Sequence, residues 1–269
     1  MVNTDKLLTP GDYKVLDPAQ QETLCKEILA EVASGQFKPA GESSREHWNE
    51  VWAANTLDVP PYIFRPGRVL RVNGQFVRPR DPWFELNWYK QFRAKVLRTY
   101  FRDVFPLYEF GCGNGWNLAA AHQLYPEKSL VGLDWAEAAV DRLPRDIHGR
   151  VFDFFQPDYD LKLVPGSGVL TVGALEQTGT GWEPFLEYLL VNSPDVVVHV
   201  EPIVEWYDPA NPVDATAIAY HRARKYWEGF PAHMAALAAH GTIEILEQKR
   251  SYFGSKYLEG YSLFVWKPI

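Results

Sequence analysis

The sequence has little cysteine, no long apolar run and no excess of positive charge. Its two cysteines, Cys25 and Cys112, match neither a metal-ligand spacing nor a disulfide framework. No run approaches the roughly 20 apolar residues that a membrane-spanning helix needs, and the first residues lack the apolar core of a signal peptide. The net charge of −7 argues against general nucleic-acid binding, which usually needs a basic face. We therefore expect a cytoplasmic protein that binds neither membranes nor nucleic acids.

Aromatic residues, by contrast, are abundant, with 10 Trp, 14 Tyr and 15 Phe among 269 residues. The hydrophobic content of 46% and the charged content of 23% are those of an ordinary globular protein. The length suffices for one large domain, or for a domain with a smaller appendage. Some of the rings must lie outside the core, where they commonly line pockets, although a bulky core would also use many of them.

The first hundred residues show helical periodicity and one hairpin signal. Asp17-Pro18 is a good start for a helix, with proline at the first helical position. Asn73-Gly74, between two strand-like arms, predicts a β-hairpin within residues 68–78. A further helix is predicted from Asp81 to about residue 100. We expect residues 1–103 to form a helical N-terminal cap that contains the hairpin and acts as a lid over substrate and cofactor.

From residue 104 onward, apolar strand-like runs alternate with helical segments. This alternation predicts an α/β fold with a doubly wound, mostly parallel sheet that is covered on both faces. Two final strand-like runs without a helix between them predict an antiparallel hairpin at one edge, and a long insertion at about 201–229 interrupts the rhythm. The seven predicted strands are 105–110, 129–134, 149–155, 169–175, 195–200, 242–250 and 261–266.

The most informative stretch is residues 107–118, which reads as a buried strand, a glycine turn and the start of a helix. Gly111, Gly113 and Gly115 alternate through the turn, where glycine allows positive φ angles and close approach of a ligand. Asp134 follows at the end of the next apolar strand. A glycine turn with a strand-end acid about 20 residues later is typical of nucleoside binding in α/β folds. The alternative is a tight strand–helix turn without a ligand.

The stretch Glu109-Phe-Gly-Cys-Gly-Asn-Gly115 resembles the first motif of class I S-adenosylmethionine-dependent methyltransferases. The resemblance covers residues 104–269 and implies S-adenosylmethionine as the cofactor. Its later motifs match an acid at the end of the second strand, an acid after the third strand, and the end of the fourth strand, close to the transferred methyl. The implied cofactor-binding residues are Glu109, Gly111, Gly113, Gly115, Asp134, Trp135, Asp153 and Phe154.

The spacing also separates this turn from the dinucleotide fingerprint. Dinucleotide sites use Gly-x-Gly-x-x-Gly to seat a pyrophosphate on a helix N-terminus, whereas this turn has Gly-x-Gly-x-Gly. Glu109 precedes the turn, and its carboxylate would repel a pyrophosphate but suits the ammonium group of a methionine moiety.

Three residues are candidates for catalysis. His221 lies in the insertion and has the near-neutral pKa that suits a general base, although it could instead lie on a solvated helix face. Glu176 and His199 lie at strand ends, where parallel sheets bind ligands. The alternatives are a helix cap for Glu176 and a buried, backbone-bonded position for His199.

Five further residues are candidates for substrate binding, although helical packing is the plainer explanation for the two aromatic residues before the core. A metal ion would require His199, Glu201 and His221 to converge. Their spacing does not demand this, so we expect none. The candidates are Trp88, Tyr89, Glu201, Tyr207 and Arg224.

We therefore predict a methyltransferase that acts on a small molecule. A hydroxyl group of a sugar or of a natural-product intermediate is the first choice of acceptor, which would make the protein an O-methyltransferase. A small amine is the alternative. A chain of another class, a non-catalytic partner subunit that still binds the cofactor, is the third possibility. A homodimer is one alternative for the oligomeric state.

Overall fold

The computed structural model describes residues 8–9, 11–41, 44–54 and 64–269. The N-terminal region contains three helices and three short strands: β1 Tyr13–Val15, α1 Pro18–Ala33, α2 Arg45–Ala54, β2 Leu70–Val72, β3 Gln75–Pro79 and α3 Phe84–Tyr100. The rest of the chain follows as β4 Leu107–Phe110, α4 Trp116–Leu124, β5 Leu130–Asp134, α5 Glu137–Val140, β6 His148–Val151, β7 Gly168–Val172, α6 Glu183–Asn192, β8 Val196–Glu201, α7 Pro212–Arg224, α8 Phe230–Ala239, β9 Ile243–Lys249, β10 Phe253–Ser255 and β11 Ser262–Pro268.

The core is a seven-stranded sheet with the order β6-β5-β4-β7-β8-β11-β9. The first five strands in this order are parallel, and β11 is antiparallel to both of its neighbours. β11 lies between β8 and the edge strand β9, so the terminal hairpin lies at one side of the sheet. The predicted mostly parallel sheet with an antiparallel end is therefore confirmed.

Apolar side chains cover the sheet on both faces because the central strands are apolar at consecutive positions. On one face, Val198 and Val265 pack with side chains of α3 and α4 such as Phe92 and Leu118. On the other face, Val197 packs with side chains of α6 and α8. The arrangement is doubly wound, as the alternating pattern predicts.

The cap contains a second, four-stranded antiparallel sheet with the order β1-β3-β2-β10. Its centre is the hairpin predicted from Asn73-Gly74, since Val72 pairs with Gln75 across the turn. α1 begins at the predicted position, where the Asp17 side chain accepts from the backbone N–H of Gln20 in a capping box.

The fourth strand of the cap sheet comes from the far end of the chain. β10 pairs with β2, with Phe253 opposite Val72, so the cap sheet crosses the predicted boundary at residue 103. The buried Arg71 of β2 ties the same regions together, because its guanidinium donates to the carbonyls of Val213 and Lys256. The insertion joins the cap as well, with α7 packed against α1.

Two predicted strands run past the ends of the observed ones. The strand predicted over 169–175 is β7, which ends at Val172, before the 3-10 turn over residues 175–178. The sequence pattern predicts a strand over 149–155, but β6 ends at Val151, and residues 152–155 leave the sheet edge. Their aromatic side chains pack across the end of the sheet instead of extending it. In the part of the chain that the structure describes, no helix has the length and apolar character needed to cross a membrane.

Candidate functional site

The carboxyl ends of β4, β7 and β8 open onto a cleft of about 720 Å³. Neighbouring parallel strands end at the same edge of a sheet, where α/β folds bind ligands. A smaller pocket of about 50 Å³ adjoins the cleft and shares part of its lining. The shared lining residues are Trp48, Trp52, Gly111, Gly173 and Gln177.

The glycine turn after β4 needs glycine for two physical reasons. Gly115 caps α4 in the left-handed region, with a φ of 78°. Gly111 has a φ of 70°, and a Cβ there would collide with the Cβ of Ala174. The turn therefore lies against the loop after β7, and Gly111 lines both the cleft and the smaller pocket.

Asp134, at the end of β5, holds this turn in place. One of its carboxylate oxygens accepts from the N–H of Gly113 and the other from the N–H of Ala136, both at 2.9 Å. Asp134 lines the smaller pocket, and burial raises the pKa of its carboxyl to about 6. The predicted ribose-binding acid therefore lies at the pocket, where it also fixes the backbone of the turn.

Glu109 lies in β4 just before the turn and lines the cleft, although only 1% of its surface is exposed. Its Oε1 accepts from Asn117 Nδ2 at 2.8 Å, and its Oε2 is buried without a hydrogen-bond partner among the described residues. Burial raises the pKa of Glu109 to about 8, against the opposing effects of Asn117 and the Arg93 charge. A buried carboxylate oxygen without a donor is a binding position for a cationic ligand group.

Aromatic side chains form the smaller pocket beside Asp134. The ring centroids of Trp135 and Phe155 lie 6.0 Å apart, and Phe154 lines the same pocket. From the cap, α2 contributes Trp48 and Trp52. A slot between aromatic rings suits a flat heterocycle such as adenine.

Asp153 does not line this pocket, because its side chain is engaged at the rim. One carboxylate oxygen accepts from the N–H of Phe155, and the other lies 3.6 Å from the Arg45 guanidinium. Arg45 also donates to the Trp135 carbonyl at 3.1 Å. α2 is thereby attached to both sides of the aromatic slot.

Glu176 lines the cleft beyond β7, in a short 3-10 turn over residues 175–178. Its Oε1 accepts from Gln177 Nε2 at 2.7 Å, and when protonated the carboxyl hydrogen-bonds the buried Glu201 carboxylate. Burial raises the pKa of this carboxyl well above its ordinary value, and the nearby Glu201 carboxylate raises it further. Such a group is a strong proton acceptor once it is ionised.

Glu201 has a structural position instead of a place in the cleft lining. It is fully buried at the end of β8 and accepts from the backbone N–H groups of Ala174 and Leu175 at 3.1–3.2 Å. Its carboxylate thus fixes the turn that carries Glu176. The structure brings Glu201 to the edge of the site but not to the substrate position that we predicted.

Neither histidine candidate lines the cleft. His199 is 1% exposed, accepts from Trp266 Nε1 and donates to the Thr171 hydroxyl, and burial lowers its pKa to about 3. His221 donates from Nε2 to the Trp227 carbonyl at 2.6 Å, and burial lowers its pKa to about 4. Both imidazoles are therefore neutral and enclosed by the core. His199 is buried, but its partners are side chains and not the backbone that the alternative predicted, and His221 does not lie on a solvated face.

Of the predicted substrate-binding residues, some line the cleft and others do not. Tyr89 and Arg224 line the cleft. Trp88 does not, because it is 1% exposed and packs 4.1 Å from the Phe253 ring. Tyr207 does not either, because its hydroxyl accepts from the Glu259 N–H within the core.

Several cleft residues have no recognisable sequence signal. They lie in the first 54 residues, in the insertion and near the C-terminus, and a helical spacing relates only Trp48 and Trp52, four residues apart on α2. Only their aromatic character, in a chain rich in rings, could have pointed to them. They are Phe37, Trp48, Trp52, Tyr220, Tyr226 and Tyr257.

Comparisons with known proteins give structural matches only. No protein-family model matches the chain, and no curated protein matches its sequence. The plantazolicin methyltransferase BpumL, in complex with a monoazolic desmethyl analogue and SAH, superposes with a TM-score of 0.51 and 13% identity, over 93% of this chain and 98% of that one.

Two further matches are weaker. The riboflavin-type dimethyltransferase RosA from Streptomyces davawensis has a TM-score of 0.47 at 13% identity over 68% of this chain, and the match spans 56% of that protein. Human N-acetylserotonin methyltransferase, in complex with SAM, has a TM-score of 0.46 at 15% identity, over 93% of this chain and 68% of that one. No argument rests on these two. From its sheet topology and the match to BpumL, the chain has the fold of class I S-adenosylmethionine-dependent methyltransferases.

Proposed function

We propose that the chain is an S-adenosylmethionine-dependent methyltransferase that acts on a small molecule. The observation that carries the proposal is the carboxylate of Glu109. Its Oε2 lacks a partner among the described residues, and Glu109 lines the cleft beside a glycine turn that Asp134 fixes. A ligand with both a cationic amino-acid end and a nucleoside end satisfies both features at once.

The residues present fit this cofactor along the length of the site. Glu109 would hold the ammonium group, and the backbone at Gly111 leaves room for close approach. Asp134 would meet the ribose hydroxyls, and the rings of Trp135 and Phe154 would enclose the adenine. When bound, S-adenosylmethionine supplies an electrophilic methyl group on a cationic sulfur.

For the acceptor, we propose a hydroxyl group whose proton Glu176 removes. Glu176 lines the cleft, and the raised pKa of its carboxyl suits a general base. Gln177 orients this carboxyl and links it to the Tyr226 hydroxyl, 3.2 Å from the Gln177 amide. An amine acceptor is the second candidate, since a carboxylate would also attract a cationic group.

A non-catalytic partner subunit would not need a buried carboxyl next to a second buried carboxyl, as Glu176 lies next to Glu201, beyond the cofactor position. Burying such a group lowers the stability of the fold and gains nothing unless a ligand uses it. Glu176 is such a group, and its position therefore favours an enzyme over a binding subunit.

Isothermal titration calorimetry tests the proposal. We expect S-adenosylmethionine and S-adenosylhomocysteine to bind, and NAD not to bind. Glu109→Gln should lower the affinity for S-adenosylmethionine and for S-adenosylhomocysteine by about 30-fold or more, because a charge-assisted hydrogen bond is lost in a buried site. The matched control is Glu187→Gln, an exposed position on α6. Binding of NAD without binding of S-adenosylhomocysteine would contradict the proposal.

A screen with radiolabelled methyl donor then tests Glu176. For any acceptor that it identifies, Glu176→Gln should lower the turnover number by about 100-fold while the affinity for S-adenosylhomocysteine stays within about twofold. Equal turnover in the variant and the wild type would remove Glu176 from the reaction.

A further inference from the structure

The cleft continues beyond Glu176 into a region lined by aromatic side chains. We call Phe37, Tyr220, Tyr226 and Tyr257 the aromatic lobe. The rings of Tyr220 and Tyr257 stack with centroids 4.9 Å apart and planes 16° from parallel. Phe37 packs edge-on against both, at 4.9 and 5.2 Å, and Tyr226 packs edge-on against Tyr220 at 6.1 Å.

These four side chains line the cleft although they come from three different parts of the fold. Phe37 follows α1, Tyr220 and Tyr226 lie in and after α7, and Tyr257 follows β10. Stacked and edge-on rings present flat faces and polarised edges, so a planar ring gains more from them than a flexible chain does. The lobe therefore favours a planar aromatic ligand.

Two cations of the cleft decide against a positively charged ligand. The Arg224 guanidinium lies 5.2 Å from the Tyr226 ring centroid, and the Lys256 ammonium lies 4.6 Å from that of Tyr257. Cation–π attraction on those two rings is thus already used. An ammonium group in the lobe would meet the like charge of Arg224 at short range.

Of the two cations that contact the lobe, Arg224 is the position for an anion, because the nearby Glu176 carboxyl, whose pKa is raised, does not neutralise it while protonated. The carboxylate of Glu31 neutralises Lys256 at 3.0 Å, and Arg68 and Glu85 neutralise each other. Arg224 instead bonds neutral groups, namely the Tyr226 hydroxyl at 3.2 Å and the Gln177 amide oxygen at 3.5 Å. No ion pair within 4 Å joins it to a carboxylate in the part of the chain that the structure describes.

We propose that this end of the cleft binds a planar aromatic acid, with its ring in the aromatic lobe and its carboxylate on Arg224. The inference rests on the proposed function, because it names the class of acceptor that the same cleft takes. It narrows the choice between a hydroxyl and an amine acceptor to an aromatic hydroxy acid.

Three small probes of similar size test this inference by calorimetry on the protein saturated with S-adenosylhomocysteine. 4-Hydroxyphenylacetate carries the ring and the acid, tyramine carries the ring and a cation, and cyclohexylacetate carries the acid without the aromatic ring. We expect 4-hydroxyphenylacetate to bind at least tenfold more tightly than either of the others. Tyramine binding as tightly, cyclohexylacetate binding as tightly, or no measurable binding of 4-hydroxyphenylacetate would each overturn the inference.

Two variants assign the effect to the proposed side chains. Arg224→Met should lower the affinity for 4-hydroxyphenylacetate about tenfold and leave the affinity for tyramine unchanged or higher. The matched control Arg222→Met removes the same charge from the exposed face of α7 and should have no effect. Tyr220→Leu should weaken 4-hydroxyphenylacetate about fivefold but leave cyclohexylacetate unchanged. An Arg224→Met variant that binds 4-hydroxyphenylacetate like the wild type would overturn the carboxylate assignment.

S-adenosylhomocysteine separates this inference from the proposed function. Its affinity should stay within about twofold in all three variants, which also shows that each variant is folded. If it binds and 4-hydroxyphenylacetate does not, the proposed function stands and the inference fails. If S-adenosylhomocysteine itself does not bind to the wild type, the proposed function fails.

Discussion

The two ends of the cleft are built in different ways. At the end with the glycine turn, Glu109, Gly111 and Asp134 lie within 26 residues of one another, on two adjacent parallel strands. At the aromatic lobe, Phe37 and Tyr257 are 220 residues apart and meet only through the cap sheet and α7. The first end depends on strand order and backbone shape, whereas the second depends on the packing of distant elements.

The difference suggests that the two ends respond differently to substitution. At the glycine turn, the backbone itself would contact the ligand, so even one methyl group should matter. In the aromatic lobe, side chains form the surface, so a substitution should change which ligand binds without disturbing the other end. The predictions below test this division, from the largest expected effect to the smallest.

The largest effect should follow from Gly111→Ala. Its φ of 70° is unfavourable for alanine, and the new Cβ would collide with Ala174. We expect the affinity for S-adenosylhomocysteine to fall by about 100-fold or more, measured by calorimetry. Gly11→Ala is the matched control, because a Cβ at that exposed position contacts nothing within 4 Å. Wild-type affinity in Gly111→Ala would refute the backbone-contact argument.

The pH dependence should identify Glu109 as the ammonium partner. Because its pKa is raised to about 8 in the free protein, the carboxyl must lose a proton to bind a cation. The affinity for S-adenosylhomocysteine should therefore rise by up to about tenfold per pH unit between pH 6.5 and 7.5. In Glu109→Gln this slope should be absent. A slope of the same size in the variant would assign the titration to another group.

Glu109→Gln should lower the affinity for S-adenosylhomocysteine but raise the stability of the fold. The pKa of the Glu109 carboxyl is near 4.5 in the unfolded chain and about 8 in the folded protein. Its contribution to stability is therefore fully present below pH 4.5 and is lost as the pH rises through about 8. Glu109→Gln removes the cost of the buried charge. At pH 8 its free energy of unfolding should exceed that of the wild type by about 1–3 kcal/mol, measured by urea denaturation.

A smaller loss should follow from Asp134→Ala, which removes two hydrogen bonds to the turn as well as the proposed ribose contact. We expect the affinity for S-adenosylhomocysteine to fall about tenfold, with little change in the preference among the three aromatic-lobe probes. Asp146→Ala, at an exposed position, is the control. A changed probe preference would show that the two ends are coupled.

The same division explains what the sequence could and could not predict. The strands, the hairpin at Asn73-Gly74 and the glycine turn follow from local periodicity and turn chemistry, and the structure agrees with them. The sequence could not predict β10, because a strand of three residues is too short to show a periodic pattern and its partner β2 lies about 180 residues earlier in the chain. The short segment between Lys249 and Ser262 also supplies Tyr257 to the lobe.

The histidines show why residue type alone misleads. His199 and His221 have the unperturbed pKa of a general base, yet both are buried against carbonyl, hydroxyl or indole groups. The alternation of side chains along β8 places His199 and Glu201 on one face. It cannot say that Trp266 of β11 and the turn after β7 would cover that face.

The smallest expected effect concerns the attachment of α2 to the aromatic slot. Arg45 bonds the Trp135 carbonyl and pairs with Asp153 at 3.6 Å, but its side chain is 48% exposed, and such pairs contribute little. Arg45→Gln should weaken S-adenosylhomocysteine only about two- to threefold, and Arg145→Gln, at an exposed position, should have no effect. Raising the salt concentration should weaken the wild type by a similar factor and Arg45→Gln less, because salt screens exposed charges. A tenfold loss would instead mean that the cofactor end, like the aromatic lobe, depends on a contact between elements far apart in the sequence.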